Sequence, residues 1–155
     1  MLLRHRELQD KTGHEAGREL LREMYREVMG NDLPEILKGP HGKPYFADGG
    51  LHFSITHTKR HVFCALSERP VGIDAEETVR KIDLRLADKI LSPSEKSRYD
   101  ACPDKTVALL KLWVLKEACA KFTGEGVYSY PNKTDLSPED PRIKEMFGCY
   151  VAVIE

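Results

Sequence analysis

Two acidic residues stand two positions apart in the segment Gly72-Ile73-Asp74-Ala75-Glu76. If this segment is a strand, successive side chains alternate between its faces, so Asp74 and Glu76 lie on the same face. Two carboxylates on one face repel each other unless a cation lies between them, and oxygen ligands of this kind suit Mg²⁺. The alternative is a strand end that runs into a solvated acidic turn, since Glu77 follows.

A third acidic residue, Glu117, lies in an apolar segment between Trp113 and Lys121. On an α-helix, at about 100° per residue, Glu117 falls roughly 40° from Trp113 and therefore within the apolar arc. A carboxylate in a buried arc is costly unless it is paired or holds a metal ion. Lys116 and Lys121 flank the same arc. The alternative is an ordinary i,i+4 pair of Glu117 with Lys121, which explains the spacing but not the apolar surroundings.

Two further segments carry groups that suit an anionic ligand. Gly42-Lys43-Pro44 places a lysine on a rigid loop, although the spacing of a phosphate-binding P-loop is missing. Thr56-His57-Thr58 ends a predicted strand with a hydroxyl, an imidazole and a second hydroxyl. A purely structural histidine is the alternative for His57, and a turn before His61 argues against a zinc pair. Taken in chain order, the acids, lysines and histidine describe a site for a magnesium-bound polyphosphate.

Periodicity and turn residues predict the elements that must position these groups. The predicted elements are a helix over 13–30, strands over 51–56, 61–67 and 71–76, a helix from the capping box Ser92-Pro93-Ser94-Glu95 to about Cys102, a helix over 105–122, and a strand over 148–154. Short links predict that the first three strands form an antiparallel meander. Residues 38–50, with at most a short strand at 45–46, and residues 131–142 are predicted loops. Strands followed by helices and one more strand indicate an α+β fold with an antiparallel sheet packed against helices.

Composition narrows the class of protein. The chain has 155 residues, of which 41% are hydrophobic and 32% charged, and this predicts one globular domain. A net charge of −1 argues against a nucleic-acid partner. No apolar stretch is long enough for a signal peptide or a membrane span, so we expect no membrane partner. Four separated cysteines without a Cys-x-x-Cys pair favour reduced thiols and a cytoplasmic location.

The order of the motifs resembles the 4′-phosphopantetheinyl transferases, specifically the larger type that is similar to the surfactin-synthetase activator. The resemblance runs from about residue 40 to 126 and rests on Gly42-Lys43-Pro44, Phe53-Ser54-Ile55-Thr56-His57-Thr58, Gly72-Ile73-Asp74-Ala75-Glu76, Leu91-Ser92-Pro93-Ser94-Glu95, Trp113-Val114-Leu115-Lys116-Glu117-Ala118-Cys119-Ala120-Lys121 and Gly124-Glu125-Gly126. Thr56 and Thr58 stand where the family has serines, and Leu91 stands where it has phenylalanine. The Asp-x-Glu motif followed by Trp-x-x-Lys-Glu is specific as a combination, whereas its parts are not.

The resemblance implies transfer of the 4′-phosphopantetheine arm of coenzyme A to a serine of an apo acyl or peptidyl carrier protein, with release of 3′,5′-ADP. The implied metal ligands for Mg²⁺ are Asp74, Glu76 and Glu117. The implied catalytic residues are Glu117 and Lys121. The implied coenzyme A ligands are Lys43, Pro44, Thr56, His57, Lys116 and Lys121.

The resemblance also implies the family's architecture of two pseudo-symmetric α+β halves with the site in the cleft between them. In a single domain over 1–155, residues 1–70 would form an abbreviated first half and 71–155 the second half, which carries the metal site. Only Lys11, His14 or Arg18 could replace the basic residues that full-size members carry in their first half. Two alternatives remain: a truncated homologue that binds coenzyme A or a carrier without transfer, and an unrelated magnesium-dependent phosphoesterase.

Overall fold

Helices packed on antiparallel sheets make up the computed structural model, which describes residues 1–126 and 134–155. The elements in chain order are β1 (Leu2–Glu7), α1 (Gly13–Met29), β2 (Ile36–Lys38), β3 (Pro44–Phe46), β4 (His52–His57), β5 (His61–Ser67), β6 (Gly72–Glu77), a 3₁₀ helix (Leu84–Leu86), α2 (Ala87–Ile90), α3 (Pro93–Ala101), α4 (Lys105–Thr123), β7 (Ile143–Met146) and β8 (Cys149–Ile154). The predicted α+β class is confirmed. Of the predicted loop over 131–142, residues 131–133 lie outside the described residues, and the remainder has neither helix nor strand.

Among the residues that the structure describes, the strands form two three-stranded antiparallel sheets and one small hairpin. The first sheet has the order β1-β5-β4, the second has the order β6-β8-β7, and β2 pairs with β3. The predicted meander is therefore right for β4 and β5 but wrong for β6, which pairs with β8 from Gly72↔Ile154 to Glu77↔Cys149. The physical reason is the apolar run of β8, which is buried over 149–152 and takes the central position of its own sheet.

Three of the described strands, β1, β2 and β7, were not predicted from the sequence. In β1 polar and apolar residues do not alternate, because Arg4, His5 and Arg6 follow one another. The strand nevertheless pairs with β5 along its whole length. Ion pairs tie β1 to α1, with Arg4 to Glu27 at 2.6 Å as one of them. β2 and β7 are short and largely exposed, so their sequences lack a hydrophobic signal. These strands exist because of their partners rather than because of their own residues.

A shared apolar layer joins the two sheets. Along β5, Val62 and Cys64 face the cluster under α1, whereas Phe63 and Ala65 face the residues of β6 and β8. This is the ordinary two-residue alternation of a strand, used here to serve two cores at once. Within the described ranges 1–126 and 134–155, no helix has both the length and the apolar character needed to cross a membrane.

A histidine pair lies at one end of this shared layer. His5 Nε2 is 2.9 Å from His61 Nδ1, and the His5 ring stacks on Phe147 at a centroid distance of 3.8 Å. His61 is buried. Burial, and then the neighbouring His61, lower the pKa of His5 below its ordinary value of 6.5, while Glu7 raises it in part. The folded state therefore favours the uncharged form of His5.

We expect acid to weaken the fold through this pair. The unfolded chain protonates His5 near pH 6.5, whereas the folded chain protonates it only at a lower pH. Below about pH 6.5 the unfolded state therefore binds more protons than the folded state, until the folded state is protonated as well. The free energy of unfolding, measured with urea from pH 8 to pH 5, should fall as the pH drops below about 6.5. His5→Phe should flatten this slope, and His41→Gln on an exposed loop should not. An unchanged slope in His5→Phe would contradict the prediction.

Candidate active site

A cavity of about 530 Å³ opens between α1, the β2–β3 hairpin, β4 and the end of α4. This volume is in the range of ligand-binding clefts. Five of the nine predicted site residues line it: Lys43, Pro44, His57, Glu117 and Lys121. The described part of its wall does not include the other four, which are Asp74, Glu76, Thr56 and Lys116.

The cavity wall is rich in basic side chains. His14 and Arg18 enter from the first turns of α1, and Lys38 and His41 enter from the β2–β3 hairpin. His14 and Arg18 were among the basic residues considered from sequence, whereas Lys38 and His41 were missed. The signal that could have found the latter two is their position on both sides of the Gly-Pro turn that precedes Lys43. An anionic ligand is the natural occupant of such a wall.

Asp74 lies directly beneath this wall and is 6% exposed. Lys121 Nζ donates to Asp74 Oδ1 at 2.7 Å, and Thr56 Oγ1 donates to the same oxygen at 2.9 Å. Thr56 therefore positions the Asp74 carboxylate, and its predicted contact with coenzyme A stays a prediction. The physical reason for its position is strand alternation, since Thr56 lies on the face of β4 that meets β6 while His57 lies on the opposite face.

Glu117 is partly buried beside Asp74. Its pKa is raised above the ordinary value by burial first and by the charge of Asp74 second, while Lys121 and Arg80 lower it in part. The two carboxylates thus lie close enough to repel each other. Neighbouring carboxylate oxygens are a donor set that fits Mg²⁺, which commonly takes one or two carboxylates together with phosphate oxygens and waters.

Glu76, the third predicted metal ligand, is held elsewhere. It lies on the Asp74 face of β6, and its carboxylate forms an ion pair with Arg80. Across the described residues, no group of three or more histidine, cysteine, aspartate or glutamate side chains is arranged to hold a metal ion. The geometry therefore couples Asp74 with Glu117 and leaves Glu76 paired with a guanidinium.

Lys43 connects the loop Gly42-Lys43-Pro44 to the end of α4 through a hydrogen bond. Its Nζ donates to the carbonyl of Phe122 at 2.6 Å, which satisfies one of the carbonyls that a helix end leaves unpaired. Gly124 ends α4 in the left-handed conformation with φ of 81°. Burial lowers the pKa of Lys43. Lys43 thus lines the cavity and also fixes the relative position of two of its walls.

Lys116 does not reach the cavity. Its side chain is fully buried, with Nζ 2.8 Å from Glu95 Oε2 and a hydrogen bond of 2.7 Å to Thr134 Oγ1. Glu95 also accepts from the backbone N–H of Ser92 and Leu136, so the pair links α3, α4 and the segment after residue 133. The structure thus shows Lys116 paired with Glu95 in the core, and its predicted contact with coenzyme A stays a prediction. Helical periodicity could not reveal this pairing, because the neutralising Glu95 comes from another helix.

The imidazole of His57 rests on the first turn of α1. A Cβ atom built on Gly13 would lie 2.3 Å from His57 Cγ, and one built on Gly17 would lie 2.7 Å from Ile55 Cγ2. Two glycines four residues apart therefore let α1 approach β4 closely. This approach brings His14, Arg18 and His57 to the same cavity wall.

The comparisons with known proteins match the same region. Residues 70–147, half of the chain, match the family model of the 4′-phosphopantetheinyl transferase superfamily. The 4′-phosphopantetheinyl transferase gsp of Aneurinibacillus migulanus is 34% identical over 116 residues, which cover 72% of this chain and 48% of that protein. The 4′-phosphopantetheinyl transferase HetI of Nostoc sp. is 32% identical over 137 residues, which cover 81% of this chain and 58% of that protein.

A third relative is the 4′-phosphopantetheinyl transferase Sfp of Bacillus subtilis (strain 168), which is 37% identical over 90 residues covering 56% of this chain and 40% of that protein. The chain spans about half the length of the curated relatives it matches. The matched region holds Asp74, Glu117 and Lys121, the charged groups that meet below the cavity wall. The chain therefore belongs to the 4′-phosphopantetheinyl transferase superfamily and is of the Sfp type.

Proposed function

We propose that this chain transfers the 4′-phosphopantetheine arm of coenzyme A to a serine of an apo acyl or peptidyl carrier protein and releases 3′,5′-ADP. One observation carries the proposal: a basic cavity of about 530 Å³ borders the coupled group of Asp74, Glu117 and Lys121. Coenzyme A is a polyanion with a pyrophosphate and a separate phosphate, so it is matched to such a wall.

The coenzyme A ligands are proposed from the cavity wall. Lys43, Pro44, His57 and Lys121 keep the roles predicted from the sequence because they line the cavity. Other basic residues of the wall add to this set: His14, Arg18, Lys38 and His41. Guanidinium and ammonium groups hold phosphate oxygens through charge-assisted hydrogen bonds.

Asp74 and Glu117 are proposed to hold Mg²⁺, with Glu76 as the third predicted ligand. The repulsion between Asp74 and Glu117 supports this assignment, because a divalent cation would relieve it. When bound, Mg²⁺ would offset the charge that builds on the phosphoryl oxygens. Lys121, which already contacts Asp74, contributes a second positive charge at the same place.

Glu117 is proposed to accept the proton of the attacking carrier serine. Glu117 lines the cavity in which coenzyme A is proposed to bind, and a carboxylate in that position suits a general base. The serine oxygen forms a bond to the phosphorus that carries the pantetheine arm, and the bond from this phosphorus to the bridging oxygen breaks. The bridging oxygen leaves with its electron pair as part of 3′,5′-ADP. The proton of the serine passes to Glu117.

The two predicted halves, 1–70 and 71–155, are also proposed. Each contains one long helix packed with a three-stranded antiparallel sheet, α1 with β1-β5-β4 and α4 with β6-β8-β7. The cavity takes wall residues from both ranges. A cytoplasmic location is in keeping with the free thiols of the four cysteines.

The direct test is incubation of the protein with coenzyme A, Mg²⁺ and apo carrier proteins, followed by mass spectrometry of the carrier. The expected result is a carrier that gains one phosphopantetheine group, and no gain in the presence of a metal chelator. Lys121→Ala serves as the site control, and Lys59→Ala, on an exposed turn, as the matched surface control. No mass gain with several acyl and peptidyl carriers would refute the proposal.

A second candidate function is binding of coenzyme A or a carrier without transfer. The observation that favours it is that the match covers only 48% of the length of the relative from Aneurinibacillus migulanus. Calorimetry that detects Mg²⁺-dependent binding of coenzyme A, together with no carrier mass gain, would establish this alternative.

Gly13→Ala tests the position of His57. The new methyl group would clash with the imidazole ring, whose Cγ would lie 2.3 Å away, so the ring must leave the cavity wall or α1 must shift. We expect coenzyme A to bind about tenfold more weakly in calorimetry, because small displacements of binding groups have large effects. Alanine favours a helix over glycine, so a weaker helix cannot explain the loss. Gly50→Ala, on an exposed loop, is the control, and equal affinities of both variants would refute the prediction.

A further inference from the structure

Arg80 contacts one of the three predicted metal carboxylates directly. Its guanidinium forms an ion pair with Glu76. The side chain of Glu76 is 20% exposed, compared with 42% for Arg80. The function proposed above gives Arg80 no role.

A defined turn places Arg80 over the end of β6. The N–H of Arg80 donates to the carbonyl of Glu77 at 2.9 Å, which closes the turn. The N–H of Thr78 donates to the carbonyl of Gly148 at 2.9 Å, and this ties the turn to the β7–β8 connection. The backbone that carries Arg80 is therefore held at both ends of the turn.

The neighbouring acidic residue, Glu77, has its own hydrogen-bond and ion-pair partners. Glu77 accepts from Thr58 Oγ1 at 3.1 Å and pairs with Arg60 at 3.3 Å. Glu76 and Glu77 thus have different cationic partners on different sides of the strand. Arg80 is specific to the side of β6 that carries Asp74.

Each of the two β6 carboxylates on this side has a monovalent cation of its own. Lys121 holds Asp74 at 2.7 Å, and Arg80 holds Glu76. A divalent cation that binds to these carboxylates must compete with both side chains. Lys121 comes from α4 and lines the cavity, whereas Arg80 lies in the turn that follows β6.

Resting on the proposed function, we propose that Arg80 is a resident counter-cation of Glu76 that a divalent metal ion must displace. Arg80 thereby lowers the affinity of the free protein for the metal. Displacement turns Glu76 from a partner of Arg80 into a ligand available to the ion. It also frees the guanidinium of Arg80, a group that suits phosphate oxygens.

The expected effect is moderate because Arg80 is partly solvated. Exposed ion pairs couple weakly, but the side chain of Glu76 is only 20% exposed. We expect Mg²⁺ to bind Arg80→Gln about three- to tenfold more tightly than it binds the wild type. Arg80→Lys retains the charge and should bind Mg²⁺ nearly as the wild type does.

Calorimetric titration of Mg²⁺ alone, with no coenzyme A, into the full chain tests this proposal. Arg85→Gln is the matched control, because Arg85 is an exposed arginine that pairs with Asp83 at 2.6 Å. Thermal unfolding without metal checks that each variant is folded. Tighter binding by Arg80→Gln, with no change in Arg85→Gln, supports the proposal. Binding by Arg80→Gln where the wild type shows none supports it as well.

The remaining outcomes overturn it in distinguishable ways. Equal or weaker binding by Arg80→Gln, with clear binding by the wild type, refutes the role of Arg80 and leaves the proposed metal site intact. An equal gain in Arg80→Gln and Arg85→Gln reveals a general charge effect and also refutes it. Binding by neither the wild type nor Arg80→Gln refutes both the role of Arg80 and the proposed metal site.

Discussion

Glu117→Gln is expected to lower the rate of phosphopantetheine transfer by at least about 10²-fold and to leave the fold at least as stable as the wild type. The loss follows because glutamine accepts no proton and is a weaker metal ligand than a carboxylate. The stability follows because burial and Asp74 both oppose the charged form of Glu117 in the folded state. An uncharged side chain of the same size removes that penalty.

Two measurements are required for this prediction. The carrier mass-gain assay gives the rate, and urea unfolding at neutral pH gives the stability. Glu139→Gln is the matched control, because the Glu139 side chain is 82% exposed and lies 4.0 Å from Lys111. A Glu117→Gln variant that transfers at the wild-type rate would show that Glu117 is neither base nor metal ligand. A variant that loses both activity and stability would indicate a structural role.

Lys116→Ala is expected to lower the free energy of unfolding by about 3–5 kcal/mol. The reason is that both side chains of the Lys116–Glu95 pair have 0% exposure. Burial alone would raise the pKa of Glu95, but Lys116 and the surrounding donors hold this pKa below its ordinary value. Without Lys116, an ionised Glu95 remains buried without its cation. Such a loss is a large share of the stability of an ordinary domain.

A double variant separates the pair from the rest of the core. Lys116→Met combined with Glu95→Gln removes both charges, and the glutamine oxygen can still accept from the backbone N–H of Leu136 or Ser92, so the double variant should recover part of the stability lost in Lys116→Ala. Urea unfolding measures all variants, with Lys111→Ala on the same helix as the control. If the folded double variant binds coenzyme A as the wild type does, Lys116 has no phosphate contact. A loss of affinity confined to that variant would support the contact predicted from the sequence.

Elements whose signals are local could be predicted from the sequence. The capping box at Ser92 and Glu95, the periodicity of α4 and the apolar run of β8 each depend on residues close together in the chain. The same holds for part of the site. The i,i+4 spacing of Glu117 and Lys121 and the alternation along β6 brought their side chains to predictable faces.

Which faces of these elements meet could not be predicted, because it depends on the packing of the whole fold. Thr56 and His57 are adjacent, yet one binds Asp74 and the other lines the cavity, because β4 packs against β6 on one face and α1 on the other. Lys116 and Lys121 share a helix, yet Lys116 is neutralised in the core and Lys121 lies at the cavity. These outcomes depend on partners distant in sequence, and the cost of burying a charge cannot be assigned until its counter-charge is placed.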